Sequence, residues 1–280
     1  MKPKTFMLIA GEASGDLLAA ELVSAVRGKL PGTKFFGAGG AKMSAAGVEL
    51  AFDMTQHAVI GISDVLKNYF KFRQLFNQLL TLAIERKPDV VIGVDYGGFN
   101  LRFGHAVKKY IRENPFSKWN PKIIQFVSPQ VWASRPGRAN QLEADYDLLL
   151  SIFPFEKNWY AKRAPKLKVE FVGHPIVGRF LVGTPRCGVQ TAQRAVPTIL
   201  LLPGSRRSEL KKHLPVILSA LKAIQGKLPN AKVKIVLPDE SLAQLAKSLG
   251  VNCEIQIGNL PDALAQADVA IASTGTVTME

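Results

Sequence analysis

Short apolar, β-rich runs alternate with segments of helical periodicity along almost the whole chain, and this alternation constrains the fold most. TFMLIA at 5–10 reads as a strand, and Leu18, Leu22 and Val26 then recur at helical spacing over 16–28. Further strand-like runs stand at 34–37, 89–94, 122–127, 147–152 and 168–172, then at 198–202, 232–237, 252–256 and 268–272. Strands that are apolar on both faces and separated by helices predict an α/β protein with parallel sheets covered on both sides.

The segment between the two series, GHPIVGRFLVGTPRCGVQTAQRAVP, is rich in Gly and Pro and weakly periodic. It divides the chain into a Rossmann-like domain over 1–174, a linker over 175–196 and a second Rossmann-like domain over 197–280. The expected arrangement has a cleft between the halves, with ligands beyond the carboxyl ends of the strands. The second series stops abruptly at Glu280, as expected of a half left incomplete by a C-terminal truncation.

With 47% hydrophobic residues, the 280-residue chain can build a substantial core. Its 36 Lys and Arg against 22 Asp and Glu give a formal charge of +14, which attracts anionic partners. The basic residues are scattered and lack an aromatic-basic RNA-binding strip, so nucleic acid is not the expected partner. Cys187 and Cys253 stand far apart with no Cys or His partner nearby in sequence, which argues against a disulfide scaffold and a zinc site. No apolar run approaches the roughly 18 residues of a membrane span.

Several strand ends carry candidate chemistry. GEASGDLLAAEL at 11–22 makes a glycine turn with Ser14 placed to cap a helix, while Glu12 and Asp16 favour a sugar or hydroxyl ligand over a phosphate. In DVVIGVDYGGFN at 89–100, Asp95 is either a base displayed at the end of a buried strand or the first residue of a turn. VSPQVWASRPGR places Ser128, Trp132 and two arginines in a loop suited to a phosphorylated ligand or to a rigid surface turn. HAVIGISDVLKNYFKFRQLFNQLLTLAIERK at 57–87 can lie on an anionic bilayer, or pack as core with a solvated face.

The sharper pair lies in the second half. LLPGSRRSEL offers Gly204, Ser205 and Arg206 at a helix start, where amides, helix dipole and guanidinium can hold a diphosphate. ASTGTVTME repeats the arrangement with Ser273, Thr274, Gly275 and Thr276, and Glu280 can accept the hydroxyls of a ribose. Together they point to a nucleoside diphosphate.

In this order, IAGEASGD, GVDYGGFN, VSPQVWA, FPFEK, FVGHP, LLPGSR and ASTGTVTME resemble the lipid-A-disaccharide synthase family of GT-B glycosyltransferases, over essentially the whole chain. The resemblance implies an inverting, cofactor-free and metal-free transfer. UDP-2,3-diacylglucosamine is joined to 2,3-diacylglucosamine 1-phosphate (lipid X), giving a β(1→6) disaccharide and UDP. It implies a cytoplasmic enzyme, peripheral on the inner membrane of Gram-negative bacteria, with the N-terminal half on the acceptor side. Family members run longer, and their further C-terminal segments complete the donor pocket and build a homodimer, so the fragment by itself is expected to lack both.

Two positions depart from the family pattern. Its strand-end motif reads Asp-x-x-Asp-Phe-Asn, with the second Asp the favoured base; here that position is Gly98, leaving Asp95 beside Asn100, with Glu12 and Asp16 as other carboxylates. The second Trp of its VWAW pattern is Ser134. Another GT-B enzyme acting on UDP-GlcNAc-type sugars, or a non-catalytic basic binding protein, are the alternative readings.

Overall fold

A computed structural model describes residues 3–54, 65–174 and 196–273. The chain divides into two compact units, Met1–Gly178 and Arg179–Glu280. The proposed linker, residues 175–195 of it, lies outside the described residues.

The first unit is a seven-stranded parallel sheet in the order β3-β2-β1-β4-β5-β6-β7. Its strands are β1 (Thr5–Ala10), β2 (Lys34–Gly39), β3 (Glu49–Asp53), β4 (Val90–Val94), β5 (Lys122–Phe126), β6 (Leu148–Ser151) and β7 (Val169–Phe171). Its helices are α1 (Ala13–Lys29), α2 (Ala41–Ala45), α3 (Val65–Arg86), α4 (Gly97–Glu113), α5 (Val131–Ser134), α6 (Arg138–Asp145) and α7 (Pro154–Arg163). β1 shows why its sequence is apolar throughout: Met7 and Ile9 enter one buried cluster, while Phe6, Leu8 and Ala10 enter another. Strand side chains alternate between faces, so a sheet covered on both sides buries every residue. Each fully buried Leu or Ile contributes about 1.5–3 kcal/mol of transfer free energy.

The second unit is a four-stranded parallel sheet in the order β10-β9-β8-β11. Its strands are β8 (Thr198–Leu202), β9 (Lys232–Leu237), β10 (Glu254–Ile257) and β11 (Val269–Ala272), and its helices are α8 (Arg207–Lys227), α9 (Glu240–Ser248) and α10 (Leu260–Gln266).

Two local expectations need correction. β3, ELAFD, was not among the expected strands; it forms an edge, is nowhere fully buried, and pairs with β2 across a register shift at Gly37/Ala38. Helix α1 starts at Ala13 with Glu12 in the cap position, so Ser14 sits inside the first turn and does not cap it. Over residues 72–86, α3 is amphipathic core: Leu75, Leu79 and Ala83 are buried, and the Phe76 ring meets Phe99 and Phe103 edge-on at 5.4 and 5.7 Å. Residues 57–64 of that segment, and the side chains of 65–71, lie outside the described residues. Among the described residues no helix is long and apolar enough to cross a membrane.

Candidate functional site

In the first sheet β1 and β4 are neighbours, with Ala10 paired to Val94, and the strand order runs to β2 and β3 on one side and to β5, β6 and β7 on the other. Loops leaving adjacent strands at such a reversal diverge and open a crevice at the carboxyl ends. Glu12 follows β1 and Asp95 follows β4, so the topology brings the GEASGD and DYGGFN stretches to one place. The two loops also pack together. A Cβ built on Gly11 would overlap the Tyr96 ring.

Asp95 and Tyr96 both adopt left-handed backbone, at φ 50° and 47°. Each such non-glycine residue costs on the order of 1–3 kcal/mol and persists only where its surroundings over-determine it. Here they do. The Asp95 amide donates to the Phe126 carbonyl at 2.8 Å. Its carbonyl accepts from Asn100 Nδ2 at 2.8 Å and from Gln125 Nε2 at 2.9 Å. Both amide side chains are buried, Asn100 at 2% exposure and Gln125 at 0%. Val127, a β-branched residue at the end of the neighbouring strand, is also left-handed at φ 67°. Burial first, and the Glu12 charge second, push the Tyr96 phenol above its ordinary range.

Gly98, in the first turn of α4, is exposed, and a Cβ there would meet nothing within 4 Å. The position is open enough to take the missing carboxylate.

Three other residues expected to bind substrate have their polar atoms engaged within the protein. Asp16 is 4% exposed, and its carboxylate accepts from the backbone N–H groups of Gly40, Lys42 and Met43 at 2.7–3.0 Å. It holds the start of α2. Ser128 is 4% exposed, with its hydroxyl 3.1 Å from that of Tyr160. Trp132 Nε1 donates at 3.0 Å to Glu156, a fully buried carboxylate that also accepts from Ser151 Oγ at 2.6 Å. The Trp132 and Phe155 rings pack in a T-shaped pair with centroids 5.1 Å apart. These groups shape the third loop from within; Glu12 is half-buried at the crevice.

The second unit repeats the topology. β8 and β11 are adjacent, and the turns that leave them carry Gly204–Arg206 and Ser273. A Cβ on Gly204, itself at φ 123°, would come within 2.7 Å of Glu209 and 3.4 Å of Ser273 Oγ. Glu209 accepts from the Ser205 N–H at 3.0 Å and pairs with Arg206 at 3.3 Å. A carboxylate therefore already occupies the amide and guanidinium that the sequence offers to a diphosphate. His213 Nδ1 lies 3.1 Å from the Pro203 carbonyl and braces the same turn. Thr274, Gly275, Thr276 and Glu280 lie outside the described residues. Among the described residues no group of three or more His, Cys, Asp or Glu is placed to hold a metal.

Gln125, Tyr96, Glu156 and Glu209 escaped the sequence reading. Gln125 had a signal: it is the one polar residue inside KIIQF, where a central strand should be apolar.

Residues 6–280 match the family model described as lipid-A-disaccharide synthetase. The chain belongs to the lipid-A-disaccharide synthetase family. Relatives bearing the name lipid-A-disaccharide synthase include those of Trichlorobacter lovleyi, 36% identical over 100% of this chain and 72% of its own, and Myxococcus xanthus, 35% identical over 99% and 72%. Membership places the chain among the glycosyltransferases of lipid A biosynthesis. The fold agrees with GT-B architecture. The S. aureus MnaA–UDP co-structure superposes with a TM-score of 0.63 at 11% identity, covering 99% of this chain and 76% of that one. The UDP-GlcNAc 2-epimerase of Neisseria meningitidis gives 0.57 at 12% identity, covering 99% and 79%. In this chain, then, the carboxyl ends of β1 and β4 lead into the GEASGD and DYGGFN stretches, and those of β8 and β11 into LLPGSR and the start of ASTGTVTME.

Proposed function

We propose that the protein condenses UDP-2,3-diacylglucosamine with 2,3-diacylglucosamine 1-phosphate, inverting the anomeric centre and releasing UDP. The acceptor 6-hydroxyl oxygen attacks the donor's anomeric carbon, the bond from that carbon to the diphosphate oxygen breaks, and UDP leaves with the electron pair. Asp95 takes the hydroxyl proton as general base. Family membership supports the reaction class. The observation that carries Asp95 is its strained, doubly clamped position at the reversal of strand order, where such sheets bind ligands.

The first unit serves the acceptor and the second the UDP. In the second, Ser205 N–H, Arg206 and Ser273 take the diphosphate once Glu209 yields, and Thr274, Gly275, Thr276 and Glu280, which follow β11 in the sequence, contribute to the nucleotide site. Arg206 and the helix start then stabilise the charge on the leaving group. Gly98 puts the whole proton transfer on Asp95 or, failing it, on Glu12. A charge of +14 suits anionic glycolipids and an anionic membrane surface, which supports peripheral action on the cytoplasmic face of the inner membrane.

The test is direct. Incubated with both glycolipids in mixed micelles, the full-length protein releases UDP in step with disaccharide formation. No UDP release above the level without acceptor sinks the proposal.

A further inference from the structure

We propose that Gln125 is a positioning residue for the transfer, acting through Asp95; this rests on the reading of Asp95 as the base. Gln125 sits in β5 directly across from Gly93 of β4. Its side chain is fully buried, and Nε2 donates to the Asp95 carbonyl at 2.9 Å and to the Val127 carbonyl at 3.2 Å. One amide therefore holds two of the left-handed residues that end adjacent strands, Asp95 at φ 50° and Val127 at φ 67°. Asn100 Nδ2 grips the same Asp95 carbonyl from the α4 side at 2.8 Å.

The orientation of both amides follows from their neighbours. Gln125 Nε2 and Asn100 Nδ2 each face only backbone carbonyls, Asn100 also reaching that of Ile9 at 3.3 Å. Turning either amide over would set oxygen against oxygen. The remaining atoms, Gln125 Oε1 and Asn100 Oδ1, are buried and accept no hydrogen bond from the protein. Leaving a buried acceptor unsatisfied is unfavourable, and an apolar side chain in this strand would avoid it. A buried Gln carrying that penalty is explained by what its nitrogen does.

Gly93 completes the device. A Cβ there would stand 2.7 Å from Gln125 Oε1 and 2.8 Å from Asn100 Cβ and Cγ, so only a glycine lets the two amides meet under the corner. With the carbonyl pinned from two sides, the Asp95 backbone cannot relax to an extended or right-handed form, and the direction of its Cα–Cβ bond is fixed.

The decisive experiment combines the shape-conserving Gln125→Met with Asp95→Asn. Carbon chemical shifts of Asp95 and Tyr96 report the backbone, and UDP release reports the rate. Expected are Cα shifts that leave the left-handed range in Gln125→Met. The turnover number should fall about tenfold or more with donor KM unchanged, because small misplacements of a base are costly. In the Asp95→Asn background the same substitution should cost less than about twofold, since residues acting through one another are not additive. Equal losses in both backgrounds, or unmoved carbon shifts, overturn the proposal. If Gln125→Met does not fold, Gly93→Ala dislodges the same amides and must give the same pattern. Near-normal turnover of Asp95→Asn alone is a separate outcome: it removes Asp95 as base and the positioning role with it, whereas the carbon shifts still judge the clamp.

Discussion

The Tyr96 ring lies over Gly11, in space that a Cβ on that glycine would enter. This contact locks the turn after β1 to the turn after β4, and with it the approach of Glu12 to the Asp95 corner. Gly11→Ala forces the ring out. Overpacking of this kind costs about 1–3 kcal/mol, so thermal unfolding should move down by several degrees. The acceptor KM should rise more than that of the UDP sugar. A variant with native stability and native acceptor KM would show that the two loops work independently.

Gly98 makes the opposite prediction. Nothing stands within 4 Å of a Cβ there, and the position lies in the first turn of α4. Gly98→Asp should fold at least as stably as the parent, since a carboxylate near a helix N-terminus contributes about 0.3–1 kcal/mol. It should also raise turnover by about tenfold or more by returning a carboxylate to the crevice. Unchanged turnover in a folded Gly98→Asp protein would show that a carboxylate at this position takes no part in the proton transfer.

In the second unit, Gly204 at φ 123° holds the turn that brings Ser205 N–H and Arg206 to Glu209. Gly204→Ala introduces both a disfavoured backbone and a contact of 2.7 Å with Glu209. Stability should drop by more than the about 0.4–1 kcal/mol that a compatible Gly→Ala change would gain. Calorimetric titration with UDP should show binding at least about tenfold weaker, because the turn amides are misaligned. Retained UDP affinity would take the diphosphate away from this turn.

Tyr160 fixes the sign of a pH effect. Burial first, and then the nearby Glu156 charge, push its phenol up to about 12, against the opposing hydrogen bond to Ser128. The unfolded tyrosine titrates near about 10, so the folded state holds the proton more tightly. Its contribution is complete below about pH 10 and is lost as pH rises from about 10 toward 12. Urea unfolding between these values should show stability falling with pH. Tyr160→Phe should make that fall shallower by about one proton, and not abolish it, because Tyr96 and Tyr146 are also raised by burial. An unaltered slope in Tyr160→Phe would mean that its phenol titrates normally.

Strand and helix were legible where their cause is local. An apolar run of five or six residues such as TFMLIA or TILLL has one stable use in a chain of this kind, as a strand buried on both faces. The glycine turns after β1, β4 and β8 could be read from the strands preceding them. ELAFD was missed because an edge strand needs no continuous apolar run, and Ser14 was misjudged because a cap is decided by where the first turn closes, not by residue type alone.

Periodicity and residue type are enough to fix the alternation of elements, the parallel character of the sheets and the family-specific motifs at the strand ends. The tertiary structure decided which polar atoms remain for a ligand. Asp16 meets backbone N–H groups up to 27 positions away, Trp132 meets a carboxylate 24 positions on, and Asp95 is held by Gln125 from 30 positions away on the next strand. Hydrogen bonds across such separations depend on sheet order and register, which no local pattern encodes. For that reason the chain's own residues named the crevice, and only the folded sheet identified the clamp beneath it.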